Sequence, residues 1–235
     1  MSAVFPVVEL LQGGLVVSCQ APPDSPLFDS EVIAAIAQAS VLRGAIGVRI
    51  DTPTHIQAVR QRIEAPIIGL WKQQLPGYEV YITPQFLQAE AIAVAGADII
   101  AIDATQRDRP NGETVSSLIE QIHTRLRKPV MADIDTLEAA IAAAEAGADL
   151  VGTTLYGYTA ATQSASPPGF DLLSLLVSQL SVPVLCEGGI ASAAMAVKAL
   201  ELGAYSVVVG TAITGIDLQV QTYAQAIAQV QPTQL

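Results

Sequence analysis

One pattern recurs four times along this chain. "LRGAIGVRI" (42–50), "VAGADIIAID" (94–103), "EAGADLVGTT" (145–154) and "ELGAYSVVVG" (201–210) each run from a helix end through Gly-Ala into an apolar strand. The aligned glycines, Gly44, Gly96, Gly147 and Gly203, lie 52, 51 and 56 residues apart. Glycine suits that place because a helix C-terminus often needs one residue in the left-handed region, where a Cβ is crowded. A second pattern alternates with the first. "APIIGLW" (65–71), "KPVMADI" (128–134) and "VPVLCEG" (182–188) each set a proline before an apolar strand. Proline halts the preceding helix and is tolerated at a strand's first position.

With "LVVSC" (15–19) added, these patterns predict eight strands: Leu15–Cys19, Ala45–Ile50, Ile67–Trp71, Ile99–Asp103, Val130–Asp133, Leu150–Thr153, Val184–Cys186 and Ser206–Val209. They are short, continuous and β-branched, as parallel strands buried on both faces are. Helical stretches such as "DSEVIAAIAQASVLRG", "TPTHIQAVRQRI" and "DTLEAAIAAAEAG" lie between most of them, several opening on a capping residue. "PVVELLQ" ahead of the first strand predicts a short helix closing a barrel floor. Eight βα units at about 29 residues each predict an α/β fold, a (β/α)8 TIM barrel forming a single domain over 1–235. A doubly wound open sheet would want a Gly-rich dinucleotide turn after an early strand, and the sequence has none. "SASPPG" (164–169) reads as a long loop after the sixth strand, not a boundary.

Composition removes several function classes. Hydrophobic residues make up 51% and charged ones 14%, which predicts a globular chain with a large core. The net charge of −11, with no basic cluster beyond "RLRK" (125–128), argues against nucleic acid or an anionic membrane as partner. No apolar run approaches the roughly 18 residues of a membrane span. The N-terminus lacks the basic start and long apolar stretch of a signal peptide, so a cytoplasmic enzyme is expected. Cys19 and Cys186 are too few for a disulfide scaffold or zinc site and read as small core residues. His55 and His123 read as surface helix positions, and no Cys/His/carboxylate cluster has metal spacing. No metal site is expected.

In a barrel of this kind the active site lies at the C-terminal ends of the strands. The residues expected there are Ser18-Cys19-Gln20, Arg49, Lys72, Asp103, Asp133, Thr153-Thr154, Glu187 and Gly210-Thr211. Any one of them alone is a solvated strand end, and Asp103 or Asp133 alone a loop cap. Five charged ends of both signs, in a chain so poor in charge, point to a site for a small polar molecule. "EGGIAS" (187–192) and "VVGTAITG" (208–215) are glycine turns running into helix starts after strands seven and eight. Barrels frequently bind phosphate there through backbone N–H groups, which predicts a phosphorylated substrate. Strands three and seven face each other, so Lys72 and Glu187 approach a substrate from opposite sides. Such a pair suits isomerisation or epimerisation. A Schiff-base lysine would suit a synthase or aldol reaction instead, and a retained cavity without chemistry would suit a sugar-phosphate binder.

"GVR" (47–49), the lysine after "IIGLW", "VYITP" (80–84), "GADIIAIDATQRDRPNGET" (96–114), "MADI" (131–134) and "VVVGTAIT" (207–214) resemble the N-acetylmannosamine-6-phosphate 2-epimerase family. The likeness runs from about Gly13 to Thr214, and the "IDATQRDRPNGET" loop is its most specific part. The resemblance implies a ribulose-phosphate-binding type of barrel without metal or redox cofactor. It implies interconversion of N-acetylmannosamine 6-phosphate and N-acetylglucosamine 6-phosphate in sialic-acid catabolism, and a homodimer. It puts the catalytic lysine on Lys72 and the catalytic glutamate on Glu187. The family's substrate-binding Gln, Arg and Asp fall on Gln20, Arg49 and Asp133, with Asp103 and Thr154 expected beside them. Its phosphate cradle falls on Gly188 and on Gly210-Thr211, with Gly189 in the same turn. Three places depart from the family's usual pattern. Gly189 stands where Arg usually follows "EG", Gly215-Ile216 where Arg-Pro usually follows "AIT", and Gln73-Gln74-Leu75 where Arg-Asp-Tyr often follows the lysine. The first two remove positive charge from the phosphate end, each contact worth about 1.5–3 kcal/mol. Either backbone donors carry the phosphate, or the ligand differs.

Overall fold

A computed structural model describes residues 5–230; residues 1–4 and 231–235, the two ends of the expected domain 1–235, lie outside the described residues. Eight parallel strands close into a barrel in sequence order, with β8 beside β1. They are β1 Leu15–Cys19, β2 Gly47–Asp51, β3 Ile67–Leu70, β4 Ile99–Asp103, β5 Val130–Asp133, β6 Leu150–Gly152, β7 Val184–Glu187 and β8 Ser206–Val209. The helices are α1 Pro6–Glu9, α2 Ser30–Leu42, α3 Pro53–Arg60, α4 Phe86–Val94, α5 Val115–Gln121, α6 Leu137–Glu145, α7 Phe170–Gln179, α8 Ala193–Glu201, α9 Thr211–Thr214 and α10 Ile216–Ala228. This is the TIM barrel that the repeats predict.

Four strands keep their predicted bounds, and four move by one or two residues. β2 starts later because Ala45 belongs to the helix end, its amide bonded to Ser40 O. It runs on to Asp51, which pairs with Leu70. β3 stops before Trp71, whose backbone leaves the ladder to pair with Thr83 in a hairpin. β6 stops before Thr153, and β7 gains Glu187. The four aligned glycines all close their helices with φ of +94 to +110°. Several helices start on the expected caps: the Asp29 carboxylate accepts the amides of Glu31 and Val32, and Thr136 and Ser192 cap α6 and α8.

The strands alternate inner and outer residues with period two. Ile68, Leu70, Ile99, Ala101, Met131 and Leu185 fill the barrel interior. Ile67, Ile100, Ile102, Ala132, Val184 and Cys186 pack outward against the helices. The short α1 closes the floor as predicted, and Leu11 just after it is fully buried in the interior cluster. Two aspartates of the repeat also anchor the floor. Asp98 accepts the amide of Ile67 at 2.9 Å and pairs with Arg60. Asp149 accepts the amide of Val130 at 2.8 Å and bonds His123 Nε2 at 2.8 Å.

Both histidines correct the surface expectation. His55 is buried, its ring edge-on to Phe28 at 4.6 Å, because its helix face turns toward the β1–α2 loop. His123 is half-buried on Asp149. Both cysteines are buried as expected. Among the described residues no helix is long and apolar enough to cross a membrane. The last helix, α10, has no buried residue and leaves Leu218, Val220, Tyr223 and Ile227 exposed.

Candidate active site

Parity assembles the mouth. In β4 and β5, Ile99, Ala101 and Met131 point inward, so Asp103 and Asp133 do too. The same count turns Ser18, Arg49, Thr154 and Glu187 inward, and Gln20 and Lys72 just beyond their strands. Gly152 shares that parity but has no side chain. A Cβ there would strike the Met131 side chain, sit 3.0 Å from Thr154 Oγ1 and 3.3 Å from Asp133 Oδ1. The bare glycine leaves room for those two oxygens to meet.

Arg49 lies at the centre, 1% exposed. Its Nη1 donates to Asp133 Oδ1 at 3.0 Å and its Nη2 to Asp133 Oδ2 at 2.5 Å. Nη1 also reaches Glu187 Oε2 and Thr154 Oγ1, the latter at 3.3 Å. Thr154 donates its hydroxyl to Asp133 Oδ1 at 2.6 Å. Three strands and one strand end thus converge on one guanidinium. Burial works against the Arg49 charge, but Asp133 and Glu187 outweigh it and hold the pKa above the ordinary value. Burial raises the carboxyl pKa of Asp133 and of Glu187, with Arg49 pulling each back.

Lys72 sits on a hairpin outside the eightfold repeat. Trp71 O accepts from Thr83 N and Tyr81 O from Gln73 N, each at 2.9 Å, and Lys72 bridges Ile82 in antiparallel fashion. Ile82 is buried with the interior cluster, and its carbonyl accepts the amide of Asp103 at 2.8 Å. The hairpin therefore fills the gap that opens between the ends of β3 and β4. The Lys72 amide donates to Asp51 Oδ1 at 2.9 Å, and its Nζ donates to Gln20 Oε1 at 2.5 Å. The side chain is open to solvent through the mouth, but the walls around it displace much of its hydration shell. That desolvation brings its pKa below 10.5. Asp51 opposes the fall, Arg49 adds to it, and Glu187 and Asp133 oppose it.

A cavity of about 720 Å³ covers this cluster. Lys72 and Glu187 both line it, from the ends of β3 and β7. So do Gln20, Arg49, Thr154, Gly188, Gly189, Gly210 and Thr211. Asp133 lies beneath, fully buried, and meets the cavity through Arg49. At the far end, the first amides of α9 have no intrahelical acceptor. Among the described residues, the charged side chain lining that end is Asp217, which accepts the Ser25 hydroxyl at 3.0 Å.

Asp103 corrects an expectation. It is fully buried and does not line the cavity. Thr105 and Arg107 occupy its oxygens, because the following loop folds back on the strand end. Among the lining residues that the sequence does not single out are Asp51, Tyr81, Tyr158 and Asp217. Asp51 is one inward step past Arg49, so the period-two count could have found it. Among the described residues, no group of three His, Cys, Asp or Glu is placed to hold a metal.

The family described as "Putative N-acetylmannosamine-6-phosphate epimerase" matches residues 33–229. The chain belongs to this epimerase family. It is 64% identical to a "Putative N-acetylmannosamine-6-phosphate 2-epimerase" of Synechococcus elongatus, over 92% of this chain and 94% of that one. The protein of the same name from Thermosynechococcus vestitus is 65% identical over 92% and 94%. The solved structure of the N-acetylmannosamine-6-phosphate 2-epimerase from Clostridium perfringens superposes with a TM-score of 0.89 at 38% identity, over 93% of this chain and 95% of that one. Within this epimerase barrel Gly189 has a steric reason. Its φ is +70°, and a Cβ would lie 2.6 Å from Pro167 Cβ. An arginine at 189 would require the 164–169 loop to move.

Proposed function

We propose that this protein interconverts N-acetylmannosamine 6-phosphate and N-acetylglucosamine 6-phosphate by removing and returning the proton at C2. The observation that carries this reading is the pair Lys72 and Glu187, lining one cavity from opposite strands. In the open-chain sugar C2 lies next to the C1 aldehyde, so loss of its proton gives an enolate. Lys72 acts as the base, because desolvation leaves more of it neutral than an ordinary lysine. Glu187 assists on the opposite face. Its raised pKa suits it to carry and give up a proton. Arg49, held by Asp133 and Thr154, offers a fixed positive charge to the developing oxyanion. Gln20 orients the Lys72 amine. The turns at Gly188-Gly189 and Gly210-Thr211 hold the phosphate through backbone N–H groups. Asp103 is outside this reading.

The test is incubation of N-acetylmannosamine 6-phosphate with the protein in heavy water, followed by NMR. Deuterium at C2 together with the gluco epimer is the expected result. Binding without exchange would make the chain a sugar-phosphate binder. A lysine imine is the second reading, favoured by the lowered Lys72 pKa, and borohydride trapping of sugar on Lys72 would establish it.

We also infer a homodimer acting in the cytoplasm. The uncovered apolar face of α10 supports the dimer. A monomer in sedimentation at micromolar concentration removes it.

A further inference from the structure

Asp103 stands beside Asp133 in the β4–β5 ladder, and both are fully buried. With shared inward parity, two carboxylates lie side by side at neighbouring strand ends. Two buried like charges so placed do not both ionise without compensation. Each has its own cation. Asp133 has Arg49. Asp103 has Arg107, whose Nη2 lies 2.7 Å from its Oδ2. The other Asp103 oxygen accepts the Thr105 amide at 3.1 Å and the Thr105 hydroxyl at 2.7 Å. Arg107 Nε donates to Thr105 Oγ1 at 2.9 Å and completes the ring. The backbone fixes this arrangement against the site, with the Ala104 amide on Asp133 O at 2.8 Å.

We propose that Arg107 is a positioning residue of the active site: by neutralising Asp103 it lets Asp133 stay ionised and hold Arg49 in place. This rests on the reading of Arg49 and Asp133 as substrate-positioning groups. The groups that face Asp133 are Arg49 from β2, Thr154 after β6 and Asp103 from β4. Glu187 from β7, Lys72 and Tyr81 from the hairpin are also within electrostatic reach. Burial raises the Asp133 pKa first, Arg49 opposes it, and Asp103 adds to the rise. Arg109 also faces Asp103, but it donates its Nη1 to Pro84 O at 3.0 Å. Loss of Arg107 leaves Asp103 with only the Thr105 donors and the more distant charge of Arg109. Asp133 then takes up a proton more readily and loosens its hold on Arg49.

Two readouts test this: the pH profile of kcat/KM, and a 13C titration of the Asp133 carboxyl carbon. Arg107→Met moves both the acid limb and the Asp133 titration up by about one pH unit, with turnover recovering at higher pH. Arg107→Lys keeps the charge and reverses most of the shift. The double variant Arg107→Met/Asp103→Asn removes both charges and returns both readouts to near their original positions. Asp103→Asn alone moves them down, and this variant carries the test if Arg107→Met does not fold. An Asp133 titration unmoved in Arg107→Met, still displaced in the double variant, or unmoved in Asp103→Asn overturns the proposal. A carbon titration that moves while the kinetic limb stays put leaves the charge coupling standing and overturns the substrate-positioning reading of Asp133.

Discussion

The floor and the mouth of this barrel use charge in opposite ways. At the floor, Asp98 and Asp149 occupy equivalent places in the repeat and perform the same task. Each accepts the first amide of the preceding strand and holds one basic side chain. At the mouth, the two basic residues have different jobs. Arg49 serves two carboxylates and a hydroxyl, while Lys72 contacts only a glutamine oxygen through its amine. One end repeats a local rule that stabilises the fold. The other brings together unlike groups whose pKa values are displaced by burial and by one another. Floor variants should therefore change stability and spare turnover, and mouth variants should do more to turnover.

The sharpest contrast is Lys72→Ala. It should lower turnover by about a thousandfold or more and leave the melting temperature nearly unchanged. Steady-state kinetics beside a thermal melt checks this, and wild-type turnover would remove Lys72 from the mechanism. Arg49→Met should blur the contrast, because it strands the buried Asp133 carboxylate and the partly buried Glu187 one. Denaturant unfolding should give about 3–5 kcal/mol of destabilisation at neutral pH. Its pH dependence has a definite sign. Asp133 and Glu187 have folded pKa values above their unfolded ones. Their contribution is fully present below the ordinary carboxyl values and is lost as pH rises through the raised folded values. In Arg49→Met those values rise further, so more stability should be lost across the window from about pH 4 upward.

Asp51→Asn gives a smaller, purely electrostatic effect. Asp51 is the strongest influence holding the Lys72 charge, and the asparagine oxygen keeps the Lys72 amide bond. The limb of the pH–rate profile that reports the lysine should move down by about one unit. Next comes Asp98→Ala at the floor. It loses the Arg60 pair and the Ile67 amide bond, and should cost about 1–3 kcal/mol in unfolding with unchanged kcat/KM. Asp29→Ala, a helix cap far from both ends of this comparison, should cost about 1 kcal/mol.

The same division decides what could be read from the sequence. Much that repeats was legible: the aligned glycines, the prolines before strands and the closed barrel, from which the strand ends Arg49, Lys72, Asp133 and Glu187 followed. What does not repeat was hidden. Tyr81 reaches the mouth on a hairpin that no βα unit contains, and its partner strand is a single bridge. Asp103 has the right parity and the wrong neighbour, since Arg107 four residues on takes its charge. His55 looked exposed by its helix alone, and only the Phe28 loop above it makes it buried. Long-range contacts of this kind leave no periodic trace.

The clamp on Arg49 joins residues 84 and 138 positions apart. During translation the guanidinium leaves the ribosome long before either carboxylate does. A nascent chain truncated between Lys72 and β7 holds the base and the arginine but not the acid. Neither half of the gene can encode a working pocket, so recombination that cuts between β4 and β5 must supply both halves together.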